Sequence, residues 1–395
     1  MTAALRASTA LYPWDVLGDP EAAGRVRALG VATVSLAAAY HAVRGLTPQH
    51  PRHRVVAAPA SAAYFPLSGA DWAGRVLRPQ APDWLGERDG FGVAAAALDA
   101  AGLAVRAWVV LLHNDGLGAG HQDLVIRNAF GDRYRWALCP AQPAVVEYAA
   151  GLAAAAAARP LVGGVELEAC GWYGFSHGSE HDKVAGVPLP AAGQWLMSLC
   201  FCAACTAAYA EAGVAARDLR ARVIAALNHR FAADEPDWPA LDELLDAGLV
   251  TAVAEVRERA AARLRRAVTA AVRAARPDGC EILLHADTDP LATGANVGVD
   301  VRTAGADLDG LILSVSGALA PMAGRLRTAV TDCPPASRIS VTVQAVRGMT
   351  DDPVPVADRV AAVRSAGVGD VIFYHAGLAS AGDLNRIREA IDRAR

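Results

Sequence analysis

Apolar residues in this chain gather into short unbroken runs, separated by longer mixed stretches with helical spacing. The runs are 31–36 (VATVSL), 54–58 (RVVAA), 103–112 (LAVRAWVVLL), 162–168 (VGGVELE), 280–285 (CEILLH), 310–315 (GLILSV), 338–344 (RISVTVQ) and 370–374 (DVIFY). Runs of this kind suit parallel strands buried on both faces. Helices are predicted near 20–29, 91–101, 143–157, 255–275, 318–330, 355–366 and 380–393. The alternation argues for a parallel sheet, and eight strands favour a closed (β/α)8 TIM barrel over an open doubly wound sheet. The first run leads into AAAYHAVRG, which is not a Gly-rich phosphate turn, so a dinucleotide fold is disfavoured. After residue 168 the regularity breaks. Helices near 203–212, 217–230 and 239–247 predict a large, mostly helical insertion after the fourth strand, spanning about 172–278 of a single barrel domain over 1–395.

Within 162–168, side chains alternate between two faces, so Val165 and Leu167 share one and Glu166 and Glu168 the other. Carboxylates are rarely buried unless paired or used. In a parallel barrel, chemistry sits at the C-terminal strand ends. Those ends lead to Tyr40 and His41; to His113 and Asn114; to Glu166 and Glu168, with Trp172, Tyr173, His177 and His181 beyond; to His285 and Asp287; to Ser314 and Ser316; to Gln344 and Arg347; and to Tyr374 and His375. The opposite ends look blander, with Gly30, Leu103, Gly279, Gly310 and Gly369. This asymmetry points to an enzyme. Plainer alternatives stay open: His113 and His285 as hydrogen-bonded core histidines, Glu166 as the partner of a buried arginine such as Arg106, Trp172 and Tyr173 as loop packing.

The chain has 395 residues, 53% hydrophobic and 20% charged, with a net charge of -4 and no block of one sign. That is enough apolar material for a large core, and it argues against nucleic acid as the partner. The alanine-rich tract at 149–158 reads as packed helix rather than a bilayer span, and no secretory signal is expected at the N-terminus. Seven cysteines in a chain this long do not suggest a secreted disulfide scaffold, so a cytoplasmic location is expected. Three of them, Cys200, Cys202 and Cys205, have a spacing that can chelate a structural zinc ion. The fourth ligand is open among Cys170, Cys139, His177 and His181. The alternative is three reduced, buried thiols.

The segments GLAVRAWVVLLHN, RNAFGDRYRWALCPAQPAVVEYAAGL, VGGVELEACGWYGF and CFCAAC together resemble a loose group of bacterial glycoside-hydrolase-like TIM-barrel proteins. In that group a Cys-Pro-x-x-Pro-x-Val element precedes a helix and then a strand of the DGIHLDY kind. The matching elements here are Cys139 to Val145 and Gly164 to Glu168. The resemblance covers about 100–210, and the chain carries Glu where such strands often carry Asp. It implies a barrel and a reaction class, not a substrate.

Glycoside hydrolysis needs two carboxyl groups at the scissile bond. Glu168 is the first candidate, as acid/base or nucleophile, and Asp287 the second, because the seventh strand ends in Gln344 where a glutamate would be wanted. Glu166 is the fallback, a like charge that raises the acid's pKa. Tyr40, His41, His113, Asn114, His177, His285, Gln344 and Tyr374 would hold the substrate, and Trp172, with Tyr173, would form a platform for a sugar ring. No cofactor is required in this reading, and the expected partner is a small molecule or oligosaccharide. The rivals are a metal-dependent hydrolase or lyase, drawing on the histidines at the mouth, and a non-catalytic carbohydrate-binding barrel.

Overall fold

The computed structural model describes residues 4–175, 182–184, 186–233, 237–305, 307–315, 318–350 and 353–395. Eight parallel strands close into a barrel: β1 Arg6–Leu11, β2 Thr33–Tyr40, β3 Ala104–Val110, β4 Val162–Glu168, β5 Glu281–Asp287, β6 Gly310–Ser314, β7 Arg338–Gln344 and β8 Asp370–Tyr374. Closure is made by β1, which pairs with β8 (Arg6 beside Asp370) and with β2 (Ser8 beside Thr33).

Two sequence expectations change. The 31–36 run lies in the second barrel strand, not the first. The 54–58 run is no barrel strand, because Val55–Ala58 pairs antiparallel with Val43–Leu46 in a separate hairpin. The true first strand, RASTAL, carries Arg6, Ser8 and Thr9 and so lacks the apolar continuity that marks the others.

The two faces of the sheet bury different chemistry. Outward residues such as Val165 and Leu167 join one large apolar cluster with the surrounding helices. Helix α1 (Pro143–Ala157) starts with Pro143 and buries Ala149, Ala153 and Ala156, which lets it pack along a long helix, Ala247–Ala275. The inner face is polar. Among the described residues, Leu283, Ile312 and Ile372 form a small apolar cluster of their own there.

Below them runs a chain of ion pairs: Arg6 with Asp370, Arg338 with Asp370 (3.8 Å) and with Glu281, and Arg106 with Glu281 (2.7 Å). The N-terminal strand ends are therefore charged and paired, not bland. Gly164 makes room for this chain, since a Cβ there would lie 3.0 Å from the Glu281 backbone and 3.5 Å from the Arg106 side chain. Gly164→Val is expected to cost about 1–3 kcal/mol in urea denaturation, the usual range for overpacking a filled interior.

Between β4 and β5 the structure describes four helices, Ala191–Met197, Ala203–Glu211, Ala216–Ala233 and Leu241–Leu245, ahead of Ala247–Ala275. Among the described residues, no helix is long and apolar enough to cross a membrane.

Candidate active site

The C-terminal strand ends surround a cavity of about 500 Å³. Of the residues expected there, Tyr40, His41, Glu166, Glu168, His285, Gln344 and Tyr374 form its wall. Glu166 and Glu168 are the carboxyl-bearing residues of that wall.

Glu166 sits deeper on β4 and is buried. Ser35 donates to its Oε1 at 2.7 Å, Arg106 lies 3.5 Å from the same oxygen, and His285 lies 3.6 Å from Oε2. Burial alone would raise its pKa, but His285, Arg106 and Ser35 together outweigh it and hold the carboxyl below the ordinary range. The ion-pair alternative for Glu166 is thus realised with Arg106. A carboxylate pinned in this way is a fixed negative charge.

Glu168, at the end of β4, accepts a hydrogen bond from Trp108 Nε1 at 2.7 Å. Two phenols, Tyr40 and Tyr374, stand close enough to feel its charge, and Tyr12 joins them from behind. Tyr12, Tyr40 and Tyr374 are mutual hydrogen-bond partners, and burial raises the pKa of each. The negative charge of Glu168 acts in the same direction on Tyr40 and Tyr374. All three therefore stay protonated. Ala169, directly after Glu168, is held at φ 52° and donates its N–H to Ala295 O at 2.9 Å, which fixes the backbone where the acid leaves the strand.

Four expected site residues lie elsewhere. Asp287 is exposed at the rim and lines no part of the cavity; its carboxylate accepts the Asp289 N–H at 2.8 Å in a local turn. Trp172 faces a separate cavity of about 200 Å³, donates Nε1–H to Arg257 O at 2.8 Å, and has the Arg257 guanidinium 4.3 Å over its ring, so it is no open platform for a sugar. His113 stacks on Tyr173 (4.4 Å) and lies tilted against His41 (4.2 Å), one layer behind the wall. Asn114 caps the helix Asp115–Gly120 through Leu117 N and donates to Tyr148 Oη at 3.2 Å. His177, His181 and Ser316 lie outside the described residues.

Ser35, Trp108, Asn296, Thr342 and Arg359 also line the cavity and were not anticipated. The alternation used for β4 would have found Ser35 and Trp108, since both point inward from their strands. Nothing in the pattern marks Arg359, which comes from a helix.

Behind the wall, His375 is buried against Tyr12 at 4.3 Å and lies 3.8 Å from Asp15. Burial raises the Asp15 carboxyl to about 7 and lowers the His375 imidazole to about 3, so both are neutral near pH 5. Asp15 stabilises the fold most below its unfolded value, about 3.9, and that contribution is lost as pH rises towards 7. His375 contributes fully above its unfolded value, about 6.5, and that is lost as pH falls towards 3. Between roughly pH 4 and 6.5 the two slopes, each about 1.4 kcal/mol per pH unit, cancel. Asp15→Asn removes one slope. Denaturant melts at pH 6 and pH 4 should show the variant losing stability towards acid relative to the parent; parallel pH profiles would refute the neutral pair.

Four cysteines come together away from the cavity. Cys139 joins Cys200, Cys202 and Cys205, with the four sulfurs within 4.8 Å of one another. Among the described residues this is the one group of His, Cys, Asp or Glu side chains whose ligand atoms converge, so His41, His113, His285 and His375 form no common ligand set.

Fold and cavity define the class: a (β/α)8 barrel with a polar, aromatic site at its C-terminal mouth. Neither a family model nor a curated protein matches the chain. Solved structures do. The glycoside hydrolase domain of PgaB (BpsB) from Bordetella bronchiseptica has a TM-score of 0.56 at 15% identity, over 98% of this chain and 99% of that one. Alpha-L-fucosidase isoenzyme 2 from Paenibacillus thiaminolyticus has a TM-score of 0.57 at 13% identity, over 99% of this chain and 49% of that one. The beta-galactosidase of the haloarchaeon Halorubrum lacusprofundi gives 0.57 at 12%, over 99% and 58%. The chain thus spans about half the length of the fucosidase and little more than half of the galactosidase. It has the barrel fold that these glycoside hydrolases share.

Proposed function

We propose that this protein hydrolyses a glycosidic bond, with Glu168 exchanging the proton with the glycosidic oxygen. The observation that carries this reading is the placement of Glu168 at the mouth end of β4, on the wall of a cavity that also presents phenols, imidazoles, two amides, hydroxyls, an indole and the Arg359 guanidinium. Such groups hold sugar hydroxyls. Glu166 lies beneath Glu168 on the same face of the same strand. Its role is to keep a negative charge below the acid and so favour the protonated form of Glu168.

Two carboxylates projecting from one strand do not flank a bond from opposite sides, as paired-carboxylate glycosidases require. In this reading water, or a group carried by the sugar itself, completes the reaction at the anomeric carbon. The likeness in fold to glycoside hydrolases supports the reaction class; the sugar and linkage are left to experiment. The test is a panel of aryl glycosides and oligosaccharides that includes 2-acetamido sugars, read by released product.

The one-sided carboxylates also favour a second reading, a carbohydrate-binding barrel without turnover. It requires that no glycoside be cleaved while sugars still raise the melting temperature, in the parent and in Glu168→Gln alike.

A further inference from the structure

The four thiols outside the cavity are arranged as a metal site. Cys139 follows the strand Arg133–Leu138; Cys202 precedes helix α2 (Ala203–Glu211), and Cys205 lies in its first turn. Cys139 Sγ is 3.8 Å from Cys202 Sγ and 3.5 Å from Cys205 Sγ. Four sulfurs at the usual Zn–S length of about 2.3 Å from one tetrahedral ion lie about 3.8 Å apart. The spacing is too long for a disulfide, and the cysteines are free.

Three N–H groups are aimed at the sulfurs. The Arg127 and Cys202 backbones donate to Cys200 Sγ at 3.4 and 3.5 Å, and Gln142 Nε2 donates to Cys202 Sγ at 3.5 Å. Donors to sulfur stabilise thiolate over thiol.

An independent observation comes from Arg257, on helix α3 (Ala247–Ala275). Its side chain is buried and donates to Ser198 O at 2.9 Å. Its guanidinium lies over Trp172 and, at 5.8 Å, near Trp195. Among the described residues no carboxylate pairs with it. A buried cation without a counter-charge is costly. Ser198 lies two residues before Cys200, so the bond to its carbonyl brings the guanidinium to the side of the thiol cluster, where the groups whose charge would reach it are Tyr209, Cys205, Cys200 and Cys139. Four neutral thiols give it no counter-charge, whereas four thiolates around a divalent ion leave a net charge of two minus.

We propose that Cys139, Cys200, Cys202 and Cys205 bind one zinc ion and that Arg257 offsets part of the site's negative charge. Binding replaces four S–H protons, which leave to solvent, with four Zn–S bonds. No position remains open for substrate, so the role is structural. The ion joins α2 to the strand Arg133–Leu138. That strand also holds the loop after Glu168, through Trp136 Nε1–H to Gly174 O at 3.1 Å, and Tyr134 Oη–H reaches Met197 O at 2.8 Å.

The test does not depend on any glycosidase activity. Full-length protein purified under reducing conditions, without a metal-affinity step, should carry one zinc per chain by elemental analysis. After the zinc is released by a mercurial and a chelator, added cobalt should give the sulfur-to-metal charge-transfer and d–d bands of a four-thiolate site. Parent protein with neither stoichiometric zinc nor that cobalt spectrum overturns the proposal, as does stoichiometric iron with the spectrum of a ferric thiolate. Cys139→Ser should weaken zinc binding in competition with a chromogenic chelator, and unchanged affinity would remove Cys139 from the ligand set. Arg257→Leu should lower the affinity by up to about tenfold, as expected for a charge that acts across space without a bond to a ligand, with Arg257→Lys retaining most of it. Equal affinities in all three proteins would refute the charge-offsetting role.

Discussion

A Glu168→Gln protein is expected to fold as the parent does and to lose about 10²- to 10⁴-fold in glycoside turnover, the usual contribution of a positioned proton-transfer group. The amide has the same shape and keeps an oxygen to accept the Trp108 N–H. What it lacks is a transferable proton. Circular dichroism and the melting temperature separate a chemical role from a structural one: a protein that collapses on this substitution would mean that Glu168 holds the barrel mouth together. The substrate series adds a second readout. Proton donation matters most for poor leaving groups. The loss should therefore be larger on oligosaccharides than on activated aryl glycosides, and an equal loss on both would count against Glu168 as the acid.

Arg106→Met is expected to cost about 3–5 kcal/mol in urea denaturation, the range for stranding a buried charge by removing its partner. Arg106 lies between two carboxylates, Glu166 at 3.5 Å and Glu281 at 2.7 Å. Glu281 keeps Arg338, so most of the loss falls on Glu166, which retains only Ser35 and His285 against its desolvation. The pH dependence gives a second measure. In the parent, the lowered pKa of Glu166 contributes stability that is present above its unfolded value, about 4.3, and is lost as pH falls. Without Arg106, burial pushes that carboxyl upward and the acid loss from this group shrinks. An unchanged urea midpoint with an unchanged acid limb would show that the pair contributes nothing net.

Much of this is legible in the sequence. Seven of the eight barrel strands stand out as apolar runs because their outward faces are buried under helices. The period-two pattern of β4 also placed Glu166 and Glu168 on one face, away from Val165 and Leu167. What failed did so for physical reasons. β1 is hidden in the sequence because its inner face carries Arg6 and Ser8, which break the apolar run. The 54–58 segment has strand composition but alternates exposed and buried positions, as a surface hairpin does. Asp287 has the inward parity of β5 yet lies past the rim, where Asp-x-Asp makes a turn. Trp172 and His113 were placed near the mouth by chain position, but the packing of Arg257 and Tyr173 turned them into layers behind it. Cys139 lies 61 residues before Cys200. Spacing along the chain left it one of four possible partners for the other cysteines, and only the folded arrangement brings it to them.

The division of the barrel into an apolar outer shell and a polar interior separates two kinds of selection. Outward positions answer to the helices, and a change there is felt as a change in stability. Ser314, Thr342 and Gln344 line the cavity and belong to neither apolar cluster, whereas Trp108 and Tyr40 line it and also pack into the shell. Substitutions at Ser314, Thr342 or Gln344 can therefore alter which ligand the mouth accepts while the sheet and its helices stay as they are.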